Sequence, residues 1–245
     1  MSSLSSASST SSMMAAGADG ATASAGHVAL EARDITKRYR RRIILRDVSF
    51  SLAAGSLVGI VGENGAGKST LLRILAGELR PSGGAVALAG ALGYCLQAAI
   101  LNEALTVAQH LDYFRAAYRL ADTRRADALV ERLGFARYRE TPVRALSGGT
   151  KQKLNLTLAL MHDPTVLLLD EPYQGFDWET YLRFWELAAE LRQRGRAVLV
   201  ISHLVFDRGR FDRLYTLADG RLRLDEVAAN VADTQAAPAT EVSGA

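Results

Sequence analysis

Hydrophobic and polar positions along this chain follow two periods, and the switch between them outlines the fold. HVALEARDI (27–35) and DVSFSL (47–52) alternate apolar with polar residues and are rich in β-branched and aromatic side chains, predicting half-buried strands. SLVGIVG (56–62) is almost wholly apolar and predicts a short buried strand that runs into a glycine-rich loop. KSTLLRILAGEL (68–79) has helical spacing, with Leu71, Leu72, Ile74 and Leu75 on one face. PSGG (81–84) marks a turn, and AVALAGALGYCLQ (85–97) returns to strand character.

From Asn102 to Arg144 the pattern is helical, with TVAQHLDYFRAAYRL and RRADALVERLGF as amphipathic pieces. This block predicts a helical lobe, about 102–145, inserted into an α/β core. Next come a helix opening at Ser147-Gly148-Gly149, an apolar strand TVLLLD (165–170), a helix WETYLRFWELAAELRQRG (178–195) and a buried strand AVLVIS (197–202). Strands alternating with helices predict an α/β fold around a mostly parallel sheet.

Composition narrows the class. The chain has 245 residues, 49% of them hydrophobic, enough for an ordinary globular core. Lys+Arg and Asp+Glu number 29 and 26, a net charge of +3, so charge gives no argument for a nucleic-acid partner. Cys95 is the single cysteine, which excludes an internal disulfide and a multi-cysteine metal site and reads as a small core residue in a reducing compartment. No apolar run approaches the ~18–20 residues that cross a bilayer. The Ser/Ala/Gly-rich start, 1–26, lacks the basic start and apolar centre of a secretory signal and reads as a disordered tail, as does 227–245. The ordered domain is expected over 27–226.

The chemistry concentrates at three strand ends. GENGAGKS (62–69) matches G-x-x-x-x-G-K-[ST] between a buried strand and a helix. Glycines there let backbone N–H groups wrap phosphate oxygens, and the helix start adds partial positive charge. Gly62, Asn64, Gly65, Ala66, Gly67, Lys68, Ser69 and Thr70 are the expected phosphate contacts. Lys68 would reach the β- and γ-phosphates, and the Ser69 hydroxyl would ligate Mg²⁺. Asp170 ends an apolar strand at the edge where ligands collect in open α/β sheets and is the second expected Mg²⁺ ligand. Glu171 would accept a proton from the attacking water. His203 ends the strand AVLVIS at the same edge. Three arginines, Arg40, Arg41 and Arg42, read as a solvated face near the nucleotide or the membrane surface.

Taken together and in order, these residues resemble the nucleotide-binding subunit of ATP-binding cassette (ABC) transporters, over about Val28–Leu224. Tyr39 stands where that family has an adenine-stacking aromatic, and Gly62–Thr70 is its Walker A loop. Gln97 falls at the Q-loop, which contacts nucleotide and metal. LSGG (146–149) is the signature, Asp170 and Glu171 close Walker B, Asp177 is the D-loop aspartate and His203 the switch histidine. The resemblance implies a P-loop NTPase fold with an antiparallel β subdomain and a helical subdomain. It also implies ATP and Mg²⁺ as cofactors and ATP hydrolysis as the activity. Catalytic roles fall to Glu171, His203 and Lys68.

In that family a second ATPase subunit faces the first head to tail. Ser147, Gly148 and Gly149 would thus complete the site held by the partner's Walker A. A separate integral-membrane permease would be the other partner, with this chain cytoplasmic on the inner face of the membrane. The stretch 146–178 is most similar to bacterial exporter ATPases, often of drug or antibiotic type, and no regulatory domain is expected after the last core strand. A non-transport ATPase, as in metal-cluster assembly, is the alternative. Three departures stand out: Thr150 replaces the usual glutamine after LSGG, the segment between Lys68 and Gln97 is short, and Gln97 lacks the usual preceding proline.

Overall fold

A computed structural model describes residues 27–96, 101–203 and 207–225. Gln97 and the expected tails lie outside these residues. Strands β1 (Val28–Tyr39) and β2 (Arg42–Ala53) form a long hairpin whose tip holds Arg40 at φ 51°, a left-handed turn conformation. β3 (Leu57–Val61) leads through the glycine loop into α1 (Lys68–Leu75), followed by β4 (Gly83–Leu88) and β5 (Leu92–Cys95). The helical lobe holds α2 (Val107–Ala117), α3 (Arg124–Arg132) and two 3-10 turns, at 136–138 and 143–145. Then come α4 (Gly148–Leu160), β6 (Val166–Asp170), α5 (Trp178–Gln193), β7 (Ala197–Ser202), β8 (Arg213–Ala218) and β9 (Arg221–Asp225).

Two sheets result. One is antiparallel, ordered β2-β1-β4; the other is ordered β5-β6-β7-β3-β8-β9, parallel except for its β9 edge. β6, β7 and β3 are consecutive and parallel in the second sheet. Their C-terminal ends therefore bring Asp170, Ser202 and the glycine loop to one edge.

Strand alternation builds a core on each face of this sheet. Val166, Leu168, Leu199 and Ile201 join Leu71 and Leu72 of α1 and the inner residues of the antiparallel sheet. Leu167, Leu169, Val198 and Val200 join α4, α5 and the helical lobe, which contributes Val107, Leu111, Leu129 and Val130. α4 lies between sheet and lobe, and ten of its 13 residues are buried, so its apolar side chains run all round.

Two differences from the sequence expectation have physical causes. The stretch 85–97 is two strands in different sheets: the chain turns at Gly90, φ 89°, and the Thr165 hydroxyl donates to the carbonyls of Ala89 and Ala91 on either side. A Cβ at position 90 would lie 2.4 Å from that hydroxyl oxygen. The β8–β9 hairpin is not among the elements read from the pattern; it closes around the Asp219-Gly220 turn, where Gly220 accepts from the Arg46 amide.

Candidate functional site

The loop between β3 and α1 needs glycine at both ends. Gly67 caps α1 at φ 108°, and a Cβ there would press within 3.1–3.2 Å of Leu45 and Ile44 in β2. At Gly62 a Cβ would meet the Leu217 carbonyl oxygen at 2.4 Å. Inside the loop, Lys68 is buried, and its ammonium donates to the carbonyls of Gly62 (2.6 Å) and Glu63 (3.0 Å). Above it lies a cavity of about 290 Å³, bounded by Lys68, Ser69, Thr70, Asp170 and Arg42. Backbone amides, a helix start and a lysine make this a phosphate-binding surface.

Asp170 and Glu171 leave β6 in different directions. Ser69 Oγ donates to Asp170 Oδ2 at 3.2 Å. Burial pushes the Asp170 carboxyl above its usual range; the Ser69 hydrogen bond pulls back, neighbouring Glu171 adds to the rise, and Lys68 offsets it. A hydroxyl and a carboxylate are hard oxygen donors of the kind a divalent cation takes, so these two residues fit Mg²⁺. Glu171 sits at φ 47°, an uncommon conformation for a side chain of its size. Its Oε2 accepts from Ser202 Oγ at 2.9 Å, and its Oε1 accepts from the His203 amide at 2.6 Å. His203 Nδ1 lies 2.8 Å from the same Oε1. The carboxylate is thus buried and aimed by the end of β7.

The signature residues form a second helix start. Ser147 caps α4: its Oγ accepts from the Thr150 amide at 3.2 Å and lies 2.9 Å from the Thr150 hydroxyl. Thr150, the departure from the family pattern, is therefore buried and holds the Ser147 side chain. Gly148 opens to space, with nothing within 4 Å of an added Cβ, whereas one at Gly149 would meet the Gly175 carbonyl oxygen at 2.2 Å. None of Ser147, Gly148 or Gly149 lines the cavity over Lys68.

Other expected residues divide. Asp177 caps α5: Oδ1 accepts from the Thr180 amide at 2.8 Å, Oδ2 accepts from the Thr180 hydroxyl at 3.0 Å, and Lys153 Nζ is 3.6 Å away. Tyr39 is 47% exposed at the end of β1, with Lys37 Nζ 5.1 Å from its ring centroid, and lines neither cavity beside the loop. Cys95 is a buried core residue whose thiol is pushed up by burial. Gln97 lies beyond the described end of β5. The residue before it is held: Asn155 Nδ2 donates to the Leu96 carbonyl at 2.6 Å, while Gln152 Nε2 lies 3.4 Å from the Glu171 carbonyl oxygen. The motif reading misses these two α4 amides and Ser202. The available signal was polar residues on a helix buried all round and at the tip of an apolar strand.

Comparison with known proteins agrees with this geometry. Residues 45–174 match the family model described as ABC transporter. The Nod factor export ATP-binding protein I of Rhizobium johnstonii is 34% identical over 219 residues, covering 83% of this chain and 70% of that protein. Human ATP-binding cassette sub-family A member 9 is 36% identical over 202 residues, 76% of this chain but only 12% of its own length. Among solved structures, an ATP-binding subunit of an ABC transporter aligns with a TM-score of 0.74 at 28% identity, covering 79% of this chain and 87% of that one. A dimeric bacterial ABC transporter cassette aligns with a TM-score of 0.73 at 25% identity, covering 80% and 97%. On the combined evidence of loop, strand ends and relatives, this chain belongs to the ABC transporter family and is an ATP-binding, ATP-hydrolysing cassette subunit.

Proposed function

We propose that two cassettes, two copies of this chain or this chain and a close relative, enclose ATP between them and drive export through a separate membrane-spanning permease. The observation that carries this reading is the separation within one copy of two anion-facing helix starts. The loop at Lys68 has a lysine and a cavity. The helix start at Ser147 has open space at Gly148, and its two nearby lysines are turned to carboxylates, Lys151 to Glu103 and Lys153 to Asp177. A second copy, turned head to tail, supplies the missing half to each.

In that arrangement Lys68 leaves its carbonyl partners for the β- and γ-phosphates, and the amides of 62–70 take the remaining oxygens. Ser69 and Asp170, with Gln97, would hold Mg²⁺, which screens the phosphate charge. Water attacks the γ-phosphorus, the bond to the ADP oxygen breaks, and the water proton passes to Glu171. Ser202 and the His203 amide aim the Glu171 carboxylate; the His203 ring and Ser147 of the second copy face the charge that develops on the phosphoryl oxygens. Asp177 belongs to the same assembly, at the interface between copies. Loss of the γ-phosphate removes the bridge between copies.

Export is supported by the relative named for Nod factor export, whose length this chain spans by 70%. No helix among the described residues is long and apolar enough to cross a membrane, and we assign the membrane path to a partner permease. Hydrolysis rate as a function of protein concentration tests the shared site. Activity per molecule should rise with concentration at low protein and then level off; activity per molecule independent of dilution would contradict it.

A further inference from the structure

The β1–β2 hairpin passes beside the glycine loop and brings a cation that the mechanism above does not use. Arg42 pairs with Tyr39 across the hairpin turn. Arg42 borders the cavity over Lys68 and also a second cavity of about 640 Å³, which extends past Asn64 and Gly65 to Asp219. Arg42 thus stands where the two compartments join. Arg40 and Arg41, beside it in sequence, border neither.

Many arginines of this chain are tied to carboxylates: Arg73 to Glu78, Arg132 to Glu190, Arg196 to Asp163. Among the described residues, Arg42 has no such partner. The acidic groups that border the two cavities are Asp170, which accepts from Ser69, and Glu63 and Asp219, which flank the larger one together with Arg46. A guanidinium is planar, permanently charged and matched to two phosphate oxygens at once. Lys68 bounds the cavity from α1, while Arg42 bounds it from β2.

We propose that Arg42 is a nucleotide-binding residue whose guanidinium contacts the phosphate chain of ATP from the β2 side, opposite Lys68. The proposal rests on the cassette reading of the 62–70 loop. It places the contact where the phosphates leave the loop for the larger compartment, toward the nucleoside end. It also separates Arg42 from its two neighbours, which remain a solvated turn.

Calorimetric titration of the full chain with MgATP and with magnesium tripolyphosphate tests this. Arg42→Ala should weaken both about tenfold, the scale of one charge-assisted hydrogen bond. Arg42→Lys should recover part of the loss for both, and Arg40→Ala should match wild type. Wild-type affinity of Arg42→Ala for both ligands would overturn the proposal. So would a loss confined to MgATP, because the contact would then lie on the nucleoside. Lys68→Ala separates the levels: if it loses binding while Arg42→Ala does not, the loop reading stands and the Arg42 assignment falls. If neither substitution affects MgATP binding, both fall.

Discussion

Asp170 and Glu171 are neighbours in the chain whose carboxylates serve opposite sides of the site: Asp170 accepts from Ser69 on α1, and Glu171 accepts from Ser202 and His203 at the end of β7. β6 ends at Asp170, and the backbone turns into the left-handed region at Glu171, φ 47°. In the proposed mechanism, a single residue step separates the carboxylate that would hold Mg²⁺ from the one that would take the water proton.

The burial of Asp170 predicts a trade between stability and activity. Its carboxyl is raised above 3.8 chiefly by burial, so the nucleotide-free fold disfavours its charge, and the penalty grows as pH rises through the unfolded and then the folded value. Asp170→Asn removes that charge and keeps an acceptor for Ser69. It should raise the nucleotide-free melting midpoint at pH 7 by about 2 °C or more while reducing MgATP turnover by about 100-fold or more. Thermal unfolding at pH 7 and pH 4 checks the sign: the gain should shrink at the lower pH.

Gly148 and Gly149 are adjacent yet should respond differently to alanine. The Gly149 Cβ position lies 2.2 Å from the Gly175 carbonyl oxygen, a backbone atom that cannot swing aside, whereas that of Gly148 faces open space. Gly149→Ala should cost about 1–3 kcal/mol of stability through overpacking. Gly148→Ala should leave the fold and the binding of MgATP to the single chain unchanged, and should lower turnover by narrowing the surface offered to the second copy. Denaturant unfolding and steady-state hydrolysis of the two variants distinguish the roles.

Asp177 has a structural function that can be measured apart from any role between copies. It caps α5 and lies beside Lys153, and its carboxyl is held low, first by the Thr180 amide. Asp177→Ala should cost about 1 kcal/mol at neutral pH. The stabilisation is fully present above the ordinary value of 3.8 and is lost as pH falls through the lower folded value. Melting midpoints of the two proteins, compared from pH 7 to pH 3, should therefore draw closer toward the acid end.

What could be read from the sequence follows from how local each feature is. The glycine loop is legible because its whole pattern is contiguous, Gly62 to Ser69, between an apolar run and a helical one. β6 and β7 are legible as apolar runs because both their faces are buried. The break at Gly90 is not, because residues on either side alternate in the same way whichever sheet they join, and the choice is made by Thr165, seventy-odd positions away. Arg42 looks like its neighbours Arg40 and Arg41 until the hairpin is placed against the loop. Ser202 looks like the end of a strand until Glu171 is seen to lean on it.

The shared site is the claim on which the rest depends, and sedimentation velocity of Glu171→Gln with MgATP tests it most directly. With hydrolysis blocked, the protein should sediment as a dimer that reverts to monomer on removal of nucleotide, and adding Ser147→Arg should abolish the dimer while single-chain MgATP binding persists. A protein that stays monomeric with MgATP at high concentration, or a dimer indifferent to Ser147→Arg, would contradict the account.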